Sequence, residues 1–216
     1  MIFFPKRNHY YSIPASRPAP PASQEFAFHP QTVMLFILLF GLSILFLALT
    51  MSYVYSRVTK QVPPVQVPFL FVVNTVILLG SSYTMIRAKR CYLGDDTAGY
   101  QQNLKYTIWL SFLFMVMQAI AWFWLFQNNV SLKTSTTAAY LYVISFLHLA
   151  HVIAGLPFIF SFYRAAKKKM MDPVTVLVYF SDPQKRLKLQ LLTIYWHFLD
   201  ILWVYLVVFL GVNYFI

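Results

Sequence analysis

Long apolar runs separated by short polar stretches dominate the order of residues along this chain. Five of them fall at 33–55, 66–86, 106–126, 138–163 and 189–212. Each is close to the roughly 20 apolar residues that cross a bilayer as a helix. Apolar residues are continuous within them rather than alternating, so they do not read as barrel strands. Hydrocarbon offers no partner to a backbone amide or carbonyl, so each run must close its own hydrogen bonds as a helix. The pattern predicts an all-α integral membrane protein, a bundle of five transmembrane helices over 29–216. Ahead of it, residues 1–28 hold Pro5, Pro14, Pro18, Pro20 and Pro21. That segment reads as an extended, cytoplasmic Pro-rich arm.

Composition agrees. Of the 216 residues, 59% are hydrophobic and only 11% are charged, against about 25% charged in soluble domains. The single cysteine, Cys91, excludes an internal disulfide or a Cys-rich metal site. The opening residues lack the apolar stretch of a secretory leader.

The net charge of +11 changes meaning once it is placed on the chain. Fourteen of the seventeen Lys and Arg residues lie in the arm, between the second and third spans, or between the fourth and fifth. Only Arg57, Lys60 and Lys133 fall on the other side. By the positive-inside rule the N-terminus is expected inside and the C-terminus outside. The run "RAAKKK" at 164–169 then reads as a topological anchor touching anionic lipid, and not as a nucleic-acid site. No phosphate-binding loop, dinucleotide fingerprint or internal repeat is visible. No loop is long enough for a soluble catalytic domain, so any function resides in the bundle or in an assembly around it.

Ionisable groups inside the spans are the informative exceptions. In "TIYWHFLDILWVYLVVFL" at 193–210, helical spacing puts Thr193, His197 and Asp200 on one stripe, flanked by Trp196 and Trp203. Phe198, Leu202, Tyr205 and Phe209 fall on the opposite side, which suits lipid. In the fourth span Ser145, His148, His151 and Gly155 share an arc. Ala150 and Ala154 form a small-residue pair that admits a neighbouring helix, and Pro157 is expected to bend the helix. Asn74 and Ser81 align on the second span, with Ser82 beside them. His151 lies about 18 Å and Asp200 about 17 Å from the basic ends of their spans. Matching depth predicts that Asp200 pairs with His148 or His151 across a helix interface. Three readings of these groups stay open. One is a small b-type cytochrome, with haem held by His148 or His151 and His197. Another is a proton or solute transporter with a His–Asp relay. The third is an interhelical polar cluster that fixes packing and touches lipid or a partner subunit.

The motifs themselves resemble a known family. Tyr195, Trp196, His197, Phe198, Asp200 and Trp203 follow the final-helix pattern of subunit III of the haem-copper cytochrome c oxidases. His148, His151, Val152 and Gly155 are similar to its His-x-x-His-Val-x-x-Gly, and "NTVILLGSSYTM" at 74–85 to its Asn-Thr and Ser-Ser helix. The resemblance covers roughly Phe28 to the C-terminus. It implies a non-catalytic subunit of a respiratory terminal oxidase, packed beside subunits I and II, binding phospholipid and open to a larger respiratory supercomplex. No catalytic residue, metal ligand or cofactor is then expected in this chain, with haem and copper in the partner subunits. The expected site is a contact cluster of Asn74, His148, His151, Gly155, Trp196, His197, Asp200 and Trp203. The expected location is a bacterial inner (plasma) membrane. Many members have seven helices, and the match starts at the family's third. The resemblance therefore implies that the lipid cleft bounded by the first two is completed by another subunit, open, or lost. Phe40 stands near the place where many members carry a membrane glutamate.

Overall fold

The computed structural model describes residues 29–62, 68–130, 135–170 and 173–215. The arm at 1–28 lies outside them. The described residues form six helices: α1 (Pro30–Lys60), α2 (Phe69–Leu93), α3 (Thr97–Gln127), α4 (Thr136–Lys169), α5 (Pro173–Phe180) and α6 (Pro183–Phe215). Five are long and apolar enough to cross a membrane, and no strand occurs among the described residues. The five expected spans are all present, each longer at both ends or at one end than its apolar run. Helices continue into the interface, where water no longer penalises polar side chains but the backbone ladder still holds.

Local signals set the ends. Pro30 opens α1, where its missing amide costs nothing. Ser135 caps α4 by accepting from Ala138 N at 3.1 Å, and Asp96 caps α3 by accepting from Gly99 N at 2.9 Å. Between α2 and α3 the chain reverses within a few residues: Asp96 N donates to Cys91 O at 3.0 Å, and Asp95 takes the left-handed conformation at φ 56°. α2 and α3 therefore form a tight antiparallel hairpin. α4 runs through Pro157 as one helix.

The helix α5 is an addition to the expected five. Its eight residues, bounded by prolines, are too short to register as a span. Its buried side, Tyr179 and Phe180, closes the basic end of the bundle against Tyr92 and Tyr100, with ring centroids 5.1–6.3 Å apart. Tyr92 Oη donates to Tyr179 O at 3.1 Å. Leu177 and Val178 are exposed on its other side, as in a helix lying along a membrane surface.

Asp182 joins α5 to α6. Its carboxylate accepts from the amides of Gln184 at 3.0 Å and Lys185 at 3.4 Å, and pairs with Lys185 Nζ at 3.0 Å. The Lys185 side chain, with those amides, holds the carboxyl below its usual value of 3.8. A depressed carboxyl stabilises the folded junction above that value, and the contribution is lost as pH falls through the lowered pKa. The Gln184 amide resonance is therefore expected to titrate with a midpoint below 3.8; a midpoint at or above it would contradict the cap.

At the opposite end α1 returns against α6 and α4. Thr50 Oγ1 and Tyr205 Oη are 3.0 Å apart, Tyr53 packs edge-on to Phe209 at 5.6 Å, and Arg57 donates to the carbonyl of Asn213. This corrects the expectation that Leu202 and Phe209 face lipid. Leu202 is buried and Phe209 is half-buried against Tyr53 of α1, whose return cannot be read from α6 alone, while Tyr205 touches Thr50 of α1 and still stays 38% exposed, as expected. Ile201, Val208 and Val212 are among the outward residues of α6, at 69%, 57% and 50% exposure. Phe40 also faces outward, at 68% exposure, where an aromatic ring suits hydrocarbon.

Candidate functional site: an interhelical polar cluster

The polar residues picked out from the sequence occupy one bundle but serve different interfaces. Consecutive helical residues point about 100° apart, so Ser81 and Ser82 address different neighbours. Ser81, fully buried, accepts from Trp196 Nε1 at 3.1 Å and ties α2 to α6. On the same face, Asn74 Nδ2 donates to Gln118 Oε1 at 2.8 Å, tying α2 to α3. Both amides are inaccessible. Removing one leaves the other buried without a partner, so Asn74→Ala should destabilise the bundle by about 1–3 kcal/mol. The second change Gln118→Leu should recover part of that loss. Equilibrium unfolding in mixed micelles would measure both; an unchanged midpoint for Asn74→Ala would refute the coupling.

The interface of α4 with α6 depends on Gly155. A Cβ there would stand 2.9 Å from Trp196 Cζ3 and 2.9 Å from Tyr195 Cε1. Tyr195 Oη in turn donates to His151 O at 2.9 Å. The expected small-residue pair differs from this: Ala154 is exposed, and the close approach falls on Gly155, the next residue round the helix.

His148 is completely buried, 4.9 Å from the Trp203 ring and 5.9 Å from Phe114. Neither of its ring nitrogens has a hydrogen-bond partner among the described residues. His151 turns the other way: Nδ1 lies 2.6 Å from Leu147 O, and the ring packs edge-on to Phe46 of α1 at 6.2 Å. His197 faces α2, with Nδ1 2.5 Å from Ser82 Oγ.

Asp200 follows His197 and not the histidines of α4. Its Oδ2 lies 4.0 Å from His197 Nδ1, beyond hydrogen-bond reach, and has no hydrogen-bond partner among the described residues. Ser82, His197 and Asp200 share a cavity of about 220 Å³ walled by Leu79, Ile201 and Val204. The expected pairing of Asp200 with His148 or His151 is therefore not made. Depth along a helix does not set rotation about it, and here rotation carries the carboxylate toward α2.

This arrangement limits the chemistry. An axial pair for haem requires two imidazoles facing one another across a slot. Here the three imidazoles turn toward the core aromatics, α1 and α2 respectively, so bis-histidine haem does not fit them. A relay through His148 lacks its first link, since neither nitrogen of that ring reaches Asp200 by a hydrogen bond. Among the described residues no three His, Cys, Asp or Glu side chains converge as a metal site. What the side chains do is join helices. Trp122 Nε1 donates to Ser145 Oγ at 3.0 Å, and the hydroxyls of Thr84 and Thr107 are 2.8 Å apart. Gln118 went unread in the sequence although a lone amide within "FMVMQAIAW" is itself a signal of an interhelical bond.

Comparison with known proteins agrees with the motifs. Residues 28–215 match the family model described as Cytochrome c oxidase subunit III. The chain is similar to the cytochrome c oxidase subunit 3 of Corynebacterium diphtheriae, at 28% identity over 64% of this chain and 62% of that protein. It is similar to that of Synechocystis, at 28% identity over 82% of this chain and 74% of the relative. To the chicken protein it is 26% identical over 68% of this chain and 50% of the relative. The matched part thus spans from half to three quarters of these relatives.

Proposed function

The chain belongs to the cytochrome c oxidase subunit III family, and from that membership we propose that it is a non-catalytic, stabilising subunit of a respiratory haem-copper terminal oxidase. The family match over nearly all the described residues carries this reading. The polar groups support it, since they join helices rather than converge on a reacting atom. On this reading the complex reduces oxygen to water with haem and copper held by subunits I and II, and this subunit packs on subunit I in a bacterial plasma membrane. The charge distribution supports an inside N-terminus and an outside C-terminus. Phospholipid is a further expected partner. An open cavity of about 580 Å³ along α3, lined by Tyr106, Trp109, Phe112, Leu113 and Val116 with Leu110 and Thr84, suits an acyl chain.

Two spectra test the proposal. The chain purified with its complex should bring haem absorbance, and the same chain released from the complex should show no Soret band. A Soret band retained by the released chain, or proton flux from the chain alone in liposomes, would contradict it.

A further inference from the structure

The pocket at Ser82, His197 and Asp200 is built unlike the rest of the membrane-facing surface. Its neighbours Leu79 and Ile201 are 52% and 69% exposed, so it opens outward between α2 and α6. Inside it Asp200 is only 4% exposed, and its Oδ2 has no hydrogen-bond partner among the described residues. A carboxyl oxygen so placed in hydrocarbon favours a donor. Ser82 Oγ and His197 Nδ1 engage each other at 2.5 Å, and no described side chain hydrogen-bonds Oδ2, which leaves that oxygen to an occupant.

Depth and volume narrow the occupant. Asp200 lies about 25 Å along α6 from Pro183 and about 22 Å from Phe215. The middle of the bilayer is about 15 Å from either headgroup layer, so a phospholipid headgroup does not reach it. A volume of about 220 Å³ falls below the roughly 300 Å³ of the smallest ordinary ligand pockets. It suits one inserted side chain better than a ring-bearing small molecule. Since the family to which the chain belongs is one of oxidase subunits, membrane helices of other subunits are the source of a donor at this depth.

We propose that the α2–α6 groove is a docking site for a transmembrane helix of a partner subunit, which inserts a hydrogen-bond-donating side chain toward Asp200. This rests on the proposed role as an oxidase subunit. The apolar rim of Leu79, Ile201 and Val204 packs against the partner helix, and the carboxylate fixes its register. An acid at one lipid-facing position makes wrong registers costly, because any of them buries it against hydrocarbon.

A photoreactive amino acid at Ile201, in the complete complex in its own membrane, tests this, with Phe158 on α4 as the control position. The expected product is a cross-link from 201 to a transmembrane peptide of another oxidase subunit. That peptide should carry a Ser, Thr, Tyr, Trp, Asn, Gln, Lys or Arg within one helical turn of the linked residue. Asp200→Leu should lower that cross-link yield about three- to tenfold relative to the Phe158 control. Asp200→Asn, which keeps an acceptor, should lower it less. Cross-linking from 201 only to lipid, only to a second copy or only to a small molecule, in a complex that still contains the chain, would overturn the docking site. An undiminished cross-link in Asp200→Leu would overturn the role of the carboxylate. If the wild-type chain brings no haem-containing subunit at all, it is the proposed function that fails, and the two failures are thus distinct.

Discussion

Replacing Trp203 by alanine should destabilise the bundle by about 3–5 kcal/mol, among the largest losses expected from a single side chain in it. Trp203 is 1% exposed and stands where three other helices meet α6. Its ring lies 5.4 Å from Phe71 of α2, 5.2 Å from Phe114 of α3 and 4.9 Å from His148 of α4. In a bilayer the transfer of apolar surface from water contributes little to such a contact, and close packing carries the energy. Alanine would leave a void lined by groups from all four helices that cannot close without moving one of them. Its Nε1 makes no hydrogen bond among the described residues, so Trp203→Phe loses volume but no polar partner and should cost much less. Unfolding midpoints in mixed micelles separate the three proteins. A loss below about 1 kcal/mol for Trp203→Ala would contradict this placement of the core.

Gly155 sets two general effects against each other, and their signs differ. Helix propensity alone favours Gly155→Ala by about 1 kcal/mol. The structure predicts the reverse, because a Cβ would stand 2.9 Å from each of two aromatic rings. Neither ring is free to yield. Trp196 is 1% exposed and bonded to Ser81, and Tyr195 is bonded to His151 O. Overpacking of this kind costs about 1–3 kcal/mol, so Gly155→Ala should lower the unfolding midpoint, and Gly155→Leu should lower it further. Gly41 is the control: a Cβ there meets nothing within 4 Å, so Gly41→Ala should be neutral or stabilising. A stabilising Gly155→Ala would show that α4 and α6 do not approach as described.

Much of the fold was legible because the bilayer leaves a sequence few choices. A continuous apolar run must be a helix, and its length identifies a span. The short α5 escaped because eight residues between prolines carry no such signal, and its placement depends on a distant tyrosine pocket. Within the site, spacing identified the polar stripe of α6 and the arc of α4 but not their partners. A helical repeat tells which residues share a face; it does not tell which helix comes to that face. Asp200 and His151 read as lying at similar depth, yet they belong to interfaces with α2 and α1. The same limit explains Phe209, which reads as lipid-facing until Tyr53 of α1 packs edge-on against it. Gly155 was legible as a motif residue, while its reason, two aromatic rings at van der Waals distance, exists only in the packed structure.

The central claim is that this chain contributes packing and contact surfaces to an oxidase whose redox chemistry resides in other subunits. Native mass spectrometry of the solubilised membrane assembly tests it most directly. Collisional release should yield the chain at its bare mass from a complex that also contains haem-bearing subunits. A released chain that carries the added mass of haem, or an assembly without any haem-bearing subunit, would contradict it.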